Sequence, residues 1–373
     1  LDAHLEHIYN IWPELRQFDD KIYPIYAGVH SQHSFMMRSF TDIINDIREA
    51  KQKGKSKFLF HGMAEGVMGH IIQKIHRIAD VLENEVDSKD LFYLSGAMDT
   101  EEVYSKFADK MNWNKRISVL SGNSFKFYTR QSSRGYEYMV RYEPSVKEKY
   151  FICFNKLSRE HRLMLFEKML ATDLIQKAFY SFEGDGDWNR LLQNSGNLFP
   201  HIRMNRHMLP LRLNITEERS NPVDIRPDDF YYFQNSAFSV VTETNYFSEN
   251  NRNGKHHIAQ QLECIFFTEK VYRCFVLPHP FILLARPFSL AALRKQGFKT
   301  FAPYINEDYD TVEDDYERFN LITKEISRLC SFTPEEMLEW QYKVKDIVDY
   351  NQHHFFSNDD YRYSLNIEYL FKD

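Results

Sequence analysis

Glycine is scarce in this 373-residue chain, at 13 residues, and the four cysteines never fall at C-x-x-C spacing. Little glycine excludes collagen-like and glycine-linker architectures. Cys153, Cys264, Cys274 and Cys330 lie far apart, three of them in apolar runs. Buried thiols of a reducing compartment are therefore expected, not disulfides or a zinc site. No apolar run reaches the roughly 18 residues of a membrane span. The longest candidate, 275–285, is broken by Pro278, His279 and Pro280. Neither a P-loop nor a dinucleotide glycine fingerprint occurs. The opening Leu1-Asp2-Ala3-His4 has neither the basic nor the apolar region of a signal peptide, so a cytoplasmic location is expected. Excess charge is also missing. Lys and Arg total 47 against 53 Asp and Glu, a formal charge of −6, which excludes bulk polyanion binding but leaves a local basic groove open.

What is present suits a globular chain: 43% hydrophobic and 27% charged residues rule out wholesale disorder. At roughly 100–200 residues per domain, the length predicts two domains. In the first 145 residues, short apolar runs at 21–27, 57–61, 91–94 and 117–120 alternate with helical patterns at 35–50, 63–82 and 101–111. This alternation predicts parallel βαβ units. The polar stretch Glu143–Lys149 sets the expected boundary, giving domains 1–147 and 148–373. After it, YFICF at 150–154 reads as a buried parallel strand, followed by a helix over 159–172. Residues 193–229 read as an irregular connection, 238–241 as a strand and 245–257 as a hydrophilic loop. A helix over 269–277, a strand over 281–285 and a helix over 289–296 follow. The strongest helix is 334–349, where Thr333 and Glu336 form a capping box. The fold class expected is α/β with two doubly wound domains, whose ligands bind beyond the carboxyl ends of the strands.

The richest chemistry lies in 266–301. An apolar strand ends at Phe267, Thr268 is placed to cap a helix, and Glu269 sits in its first turn. A helix N-terminus at a strand end attracts phosphate, and Lys270 and Arg273 would add charge-assisted contacts. Glu269 would then suit a diol such as a ribose. In the second block, Asn155, Lys156, Arg159, His161 and Arg162 follow a strand end, where a diphosphate needs local positive charge. Glu243 closes another apolar strand.

The segment resembles the donor-binding half of GT-B glycosyltransferases. A Thr-Glu-Lys motif opening a helix, then a Pro-containing turn and a strand, is similar to what α-1,3-fucosyltransferases and exostosin-like enzymes carry. Glycosyltransferases encoded by bacteriophages and other large DNA viruses look closer still. Their Thr-Glu-Lys, His-Pro-Phe-Ile and Leu-x-x-Leu-Arg-x-x-Gly-Phe-x-Thr-Phe elements stand here at Thr268–Lys270, His279–Ile282 and Leu290–Phe301, before an acidic run at 304–317. YFICFNKLSREHR at 150–162, FSVVTET at 238–244 and Asn351–Phe355 are similar too, so the resemblance covers 148–356. The departure is a bulky Phe275-Val276-Leu277-Pro278 ahead of the turn, which would narrow the donor's approach.

The resemblance implies two facing Rossmann-like domains, a nucleotide-sugar donor (UDP- or GDP-sugar) in the C-terminal one, a C-terminal crossover helix, and metal-independent hexosyl or pentosyl transfer. Donor binding falls to Asn155, Lys156, Arg159, His161, Arg162, Glu243, Thr268, Glu269, Lys270, Arg273 and His279. No cofactor or metal is expected. The acceptor would be a hydroxymethylated base of viral DNA, or a glycan or protein. A non-catalytic module of the same fold is the alternative. A base for the acceptor hydroxyl is sought among His61, Glu65, Asp99 and His30, near strand ends and turns of the first domain. Asp185-Gly186-Asp187 reads as a turn, not a metal-binding Asp-x-Asp. The basic and aromatic interleaving over 126–141 reads as chance in an aromatic-rich chain.

Overall fold

In the computed structural model, residues 2–27, 38–64, 66–157, 159–182, 198–213, 225–248, 262–358 and 360–362 are described. They form two compact units. The first takes the described residues of 2–127 with 262–266 and 360–362, and the second takes those of 128–248 and 267–358.

The first unit holds a four-stranded parallel sheet, β1 (Ile22–Tyr26), β2 (Lys57–Gly62), β3 (Leu91–Ser95) and β4 (Ser118–Ser121), in the order β1-β2-β3-β4. The strands read as nearly unbroken apolar runs because both faces are covered. Side chains alternate between faces. Phe58, Phe60 and Tyr93 pack with Ile43, Ile47, Ile71 and Ile75 from the helices Phe40–Gln52 and Gly69–Val81. Leu59, Phe92 and Leu94 instead meet Ile8, Trp12 and Leu15. Ser39 caps the helix Phe40–Gln52, its Oγ accepting from the Asp42 N–H at 3.0 Å. The helix expected from residue 63 starts only at Gly69. The chain before it is a turn, with the Met63 carbonyl held by Ser124 Oγ and the Met68 N–H by the Tyr93 hydroxyl.

This unit is closed by chain that returns from far along the sequence. The Leu262 N–H donates to the Val67 carbonyl at 2.7 Å, and the Met98 N–H to the Ile265 carbonyl at 2.9 Å. Cys264 and Phe266 are buried in its core. The strand expected to end at Phe267 does not form: 262–267 makes no ladder and serves as a tether. Farther on, Arg362 bridges to Gly122, and the Asn123 N–H reaches the Tyr361 carbonyl at 2.8 Å.

The second unit carries β5 (Lys149–Asn155), β6 (Ala178–Phe182), β7 (Ser236–Thr242) and β8 (Phe281–Leu284), all parallel, in the order β6-β5-β7-β8. The boundary expected at 147/148 falls inside this unit. Residues before it are fastened here: the Tyr142 hydroxyl donates to the Ala237 carbonyl, Gln341 Nε2 to the Ser145 carbonyl and Lys147 Nζ to the Gln234 carbonyl. The helix expected over 334–349 continues to Ser357, with the Thr333–Glu336 capping box formed at 3.2 and 2.8 Å. It belongs to the second unit throughout, and of the described residues beyond it 360–362 join the first.

Candidate functional site

The carboxyl ends of β5 and β7 converge with the start of the helix Glu269–Val276. Asn155 ends β5, and its Oδ1 accepts from Thr242 Oγ1 at 2.6 Å, locking two strand ends together. One residue on, Glu243 is 1% exposed. Its Oε1 accepts from the Thr268 N–H at 3.2 Å and its Oε2 from Thr268 Oγ1 at 2.7 Å. Lys270 Nζ lies 3.0 Å from Thr268 Oγ1 and 2.9 Å from Glu269 Oε1. The order of charges is thus carboxylate, hydroxyl, ammonium, carboxylate.

The two carboxyls titrate in opposite directions. Burial raises Glu243 above the usual carboxylate range, against the nearby Lys270 charge and the bonds from Thr268. Burial also pushes Glu269 up, but Lys270, Arg273 and its own backbone N–H outweigh it and hold it below that range. Glu269 is therefore a firm anion and hydroxyl acceptor, while Glu243 is the carboxylate that a drop in pH neutralises first.

At the helix N-terminus, where phosphate is expected, two of the chain's own carboxylates accept backbone N–H groups: Glu243 that of Thr268, and Glu269 its own. Lys270 and Arg273 are the cations whose charge acts on Glu269. These two side chains line a small cavity with Phe154, Phe233, Thr242 and Cys274.

The block after β5 is mostly turned inward. Arg162, 2% exposed, donates from Nη1 to the Leu157 carbonyl at 2.9 Å and from Nη2 to the Thr242 carbonyl at 3.0 Å. His161 Nε2 is 3.0 Å from the Glu243 carbonyl, and its ring stacks on Tyr246. Burial, then the charges of Arg162 and Arg159, keep His161 neutral. These residues hold the end of β7 in place. Lys156 and Arg159 are only partly buried, Arg159 at the cap position of the helix Glu160–Ala171.

His279 does not join the cluster. It precedes β8, with Nδ1 2.7 Å from Ser239 Oγ and Nε2 3.0 Å from the Ser236 carbonyl, between the rings of Tyr142 and Phe233. Phe275 and Val276 close the helix Glu269–Val276, and the Phe275 ring stacks on Phe298 at 4.1 Å.

Of the expected bases, His61 is 4% exposed in β2, against the Tyr26 ring. Asp99 Oδ1 accepts from the Ile265 N–H at 2.9 Å, anchoring the returning tether. Glu65, His30 and Asp185–Asp187 lie outside the described residues, as does the expected loop from 249 onward. Two basic residues of 126–141 bond internally: Lys126 donates to the Asp360 carbonyl and Arg130 to the carbonyls of Phe356 and Asn358.

No motif pointed to Arg318 and Asp315, a fully buried pair 2.6 Å apart. Arg318 Nε also donates to the Ala285 carbonyl and Nη2 to the Tyr246 carbonyl, fixing the chain beyond β8 and β7. The acidic run around it is structural too. Asp310 accepts from the N–H groups of Leu290 and Ala291, at 2.8 and 2.9 Å.

No family model matches the chain, and no curated protein matches it. Among solved structures, one titled "OtsA apo structure" is similar at a TM-score of 0.42 and 12% identity, over 95% of this chain and 76% of its own.

Proposed function

We propose that this chain is a glycosyltransferase that takes its sugar from a nucleotide-sugar donor held by the second unit. The buried Thr268-Glu269-Lys270 cluster, backed by Glu243 at the carboxyl end of a parallel sheet, carries the reading. A low-pKa carboxylate beside two cations suits a ribose diol next to a diphosphate. In this reading Glu269 accepts from the ribose hydroxyls, and Lys270 and Arg273 face the diphosphate. Glu243 sets the orientation of Thr268 and Lys270, and Lys156 and Arg159 add positive charge at the rim. The first unit would supply the acceptor side, as the resemblance implies. An acceptor oxygen attacks the anomeric carbon, the bond from that carbon to the phosphate oxygen breaks, and the nucleoside diphosphate departs with the electron pair. Lys270 and Arg273 would stabilise the charge that develops on it. The proton passes to a base not assigned among the residues described. The acceptor class stays as the resemblance implies it: a hydroxymethylated DNA base, a glycan or a protein.

The second reading, a donor-binding module without turnover, draws on the inward-turned Arg162 and His161 and on the buried His61. Thermal shift against UDP-, GDP-, ADP- and CMP-sugars tests both. A folded-state ligand at about 100 times its dissociation constant adds roughly 2.7 kcal/mol. Stabilisation by one nucleotide class, lost in Glu269→Ala and Lys270→Ala, supports the site. Release of the sugar from that donor, to water or to a hydroxymethylated DNA, separates the enzyme from the module. A folded protein stabilised by none of the four overturns the donor reading.

A further inference from the structure

A separate cavity of about 210 Å³ opens at the other end of the second sheet, where the chain enters β5, β7 and β8. Its walls are apolar, from Phe233, Tyr142, Leu277 and Pro278, and its rim carries Arg141, Lys147 and Glu143. The Tyr142 hydroxyl donates to the Ala237 carbonyl, and Lys147 Nζ lies 5.9 Å from the centre of the Tyr142 ring. Pockets that take drug-sized ligands run to ~300–1,000 Å³, so this one fits a single ring.

Its charge is unbalanced. Lys147 Nζ donates to the carbonyls of Glu143 and Gln234, at 2.9 and 2.8 Å, and Arg141 Nη1 donates to the carbonyls of Glu137 and Val140 and to Gln352 Oε1. Among the described residues, no carboxylate forms an ion pair with either cation. Burial lowers the pKa of Lys147, against the nearby Glu143 charge. With Glu143 on the rim, two cations and one carboxylate leave a local charge of one. His279, behind the wall, is kept neutral by burial, and Lys345, which donates to the Tyr142 carbonyl, is balanced by Asp349 at 3.0 Å.

We infer that this cavity is a second binding site, for a small aromatic carboxylate whose ring lies among Phe233, Tyr142, Leu277 and Pro278 and whose anion meets Lys147 and Arg141. A monoanion matches the charge, whereas a phosphate dianion would leave an excess facing Glu143. The cavity shares the Phe233 ring with the small cavity beside Lys270 and Arg273, but none of its rim groups belongs to the Thr268–Lys270 cluster.

Calorimetric titration of the full chain with benzoate, benzyl alcohol and phenyl phosphate tests it. Benzoate is expected to bind at least tenfold more tightly than benzyl alcohol, and more tightly than phenyl phosphate. Lys147→Met, which keeps the stem and removes the charge, should abolish the preference over benzyl alcohol. Arg141→Gln, at an exposed position, should weaken benzoate severalfold and serves if Lys147→Met does not fold. Equal binding of benzoate and benzyl alcohol, tighter binding of phenyl phosphate, or benzoate binding unchanged in both variants would overturn the assignment. A UDP-sugar response in wild type that survives saturating benzoate would show that the two sites are distinct; full competition would overturn the second site.

Discussion

Glu243 and Thr268, 25 residues apart, are joined twice: the carboxylate takes both the backbone N–H and the side-chain hydroxyl of the threonine. The bond fixes the first residue before the helix Glu269–Val276 against the last turn of β7. Burial has already raised the Glu243 pKa, so at neutral pH its ionisation costs folding free energy. Glu243→Gln keeps the shape without the charge. The stability of the variant relative to wild type should rise with pH from about 4.5 upward and level off once the wild-type carboxyl is fully ionised. Urea unfolding at pH 5 and pH 8 measures this, and a constant difference would refute it.

Lys270 Nζ contacts both Thr268 Oγ1 and Glu269 Oε1. Removing it takes away a charge-assisted contact worth roughly 1.5–3 kcal/mol. Lys270→Ala should therefore weaken a nucleoside diphosphate by tenfold or more while leaving the free nucleoside nearly unchanged. Glu269→Ala should weaken both. Calorimetry with both ligands separates the phosphate role from the ribose role.

Acid should destabilise the protein well above the carboxylate range. His76 stacks on Trp113 at 3.6 Å, and burial, with a smaller contribution from Arg116, lowers its pKa to about 4; burial lowers His279 to about 3. Below the unfolded value of 6.5 the unfolded chain binds protons that the folded one refuses. Stability is thus complete above pH 6.5 and falls as pH drops toward 4, by about 1.4 kcal/mol per pH unit for each histidine. His76→Gln should flatten the slope of unfolding free energy between pH 6.5 and 4. An unchanged slope would exclude His76 as its source.

Gly122 sits where a Cβ would come within 2.7 Å of the Trp12 ring and 2.8 Å of Ile11. Both neighbours are buried in the core, and neither has a flexible end to withdraw. Gly122→Ala should cost about 1–3 kcal/mol, read as a lower urea midpoint at constant slope.

None of the four cysteines is in a disulfide and all are buried, and burial pushes Cys274 and Cys330 up to about 12. A disulfide reagent at pH 8 should therefore find no fast-reacting thiol in the native protein and four after unfolding. A rapid native reaction would mean that one of these sites opens.

Much of the fold is legible in the sequence because the strands are parallel and covered on both faces. KFLFH, LFYL and YFICF are continuous apolar runs, and each is a strand within a residue or two of its expected limits. The helix start after Thr268 was legible, although Thr268 makes no side-chain capping bond and gives its hydroxyl to Glu243; the 334 helix was legible from its capping box. What escaped has a common cause in long-range contact. The strand Ala178–Phe182 is short, and its Ser181 hydroxyl is used by the Asn155 N–H. The helix Asp315–Leu329 hides an ion pair on its buried side, so its pattern reads as polar. Residues 262–267 look like a strand because they are apolar, yet they bury Cys264 and Phe266 among residues near 70 and 100. Nor does a local pattern reveal that Arg162 and His161 spend their polar atoms on backbone carbonyls.

The returning tether also bears on how the chain is made. Ile265 bonds to Met98 and Asp99, and Tyr361 and Arg362 bond to Asn123 and Gly122. On a ribosome, the sheet of β1–β4 emerges first but has to wait for residue 266 to fill its core and for residue 362 to cover its β4 edge. β5, β6 and β7 emerge during that interval. The unit begun first is thus finished last. A stalled or truncated chain ending near residue 147 would expose the apolar surface around Val67 and Ala97 and would be a natural client for chaperones, not a free-standing domain.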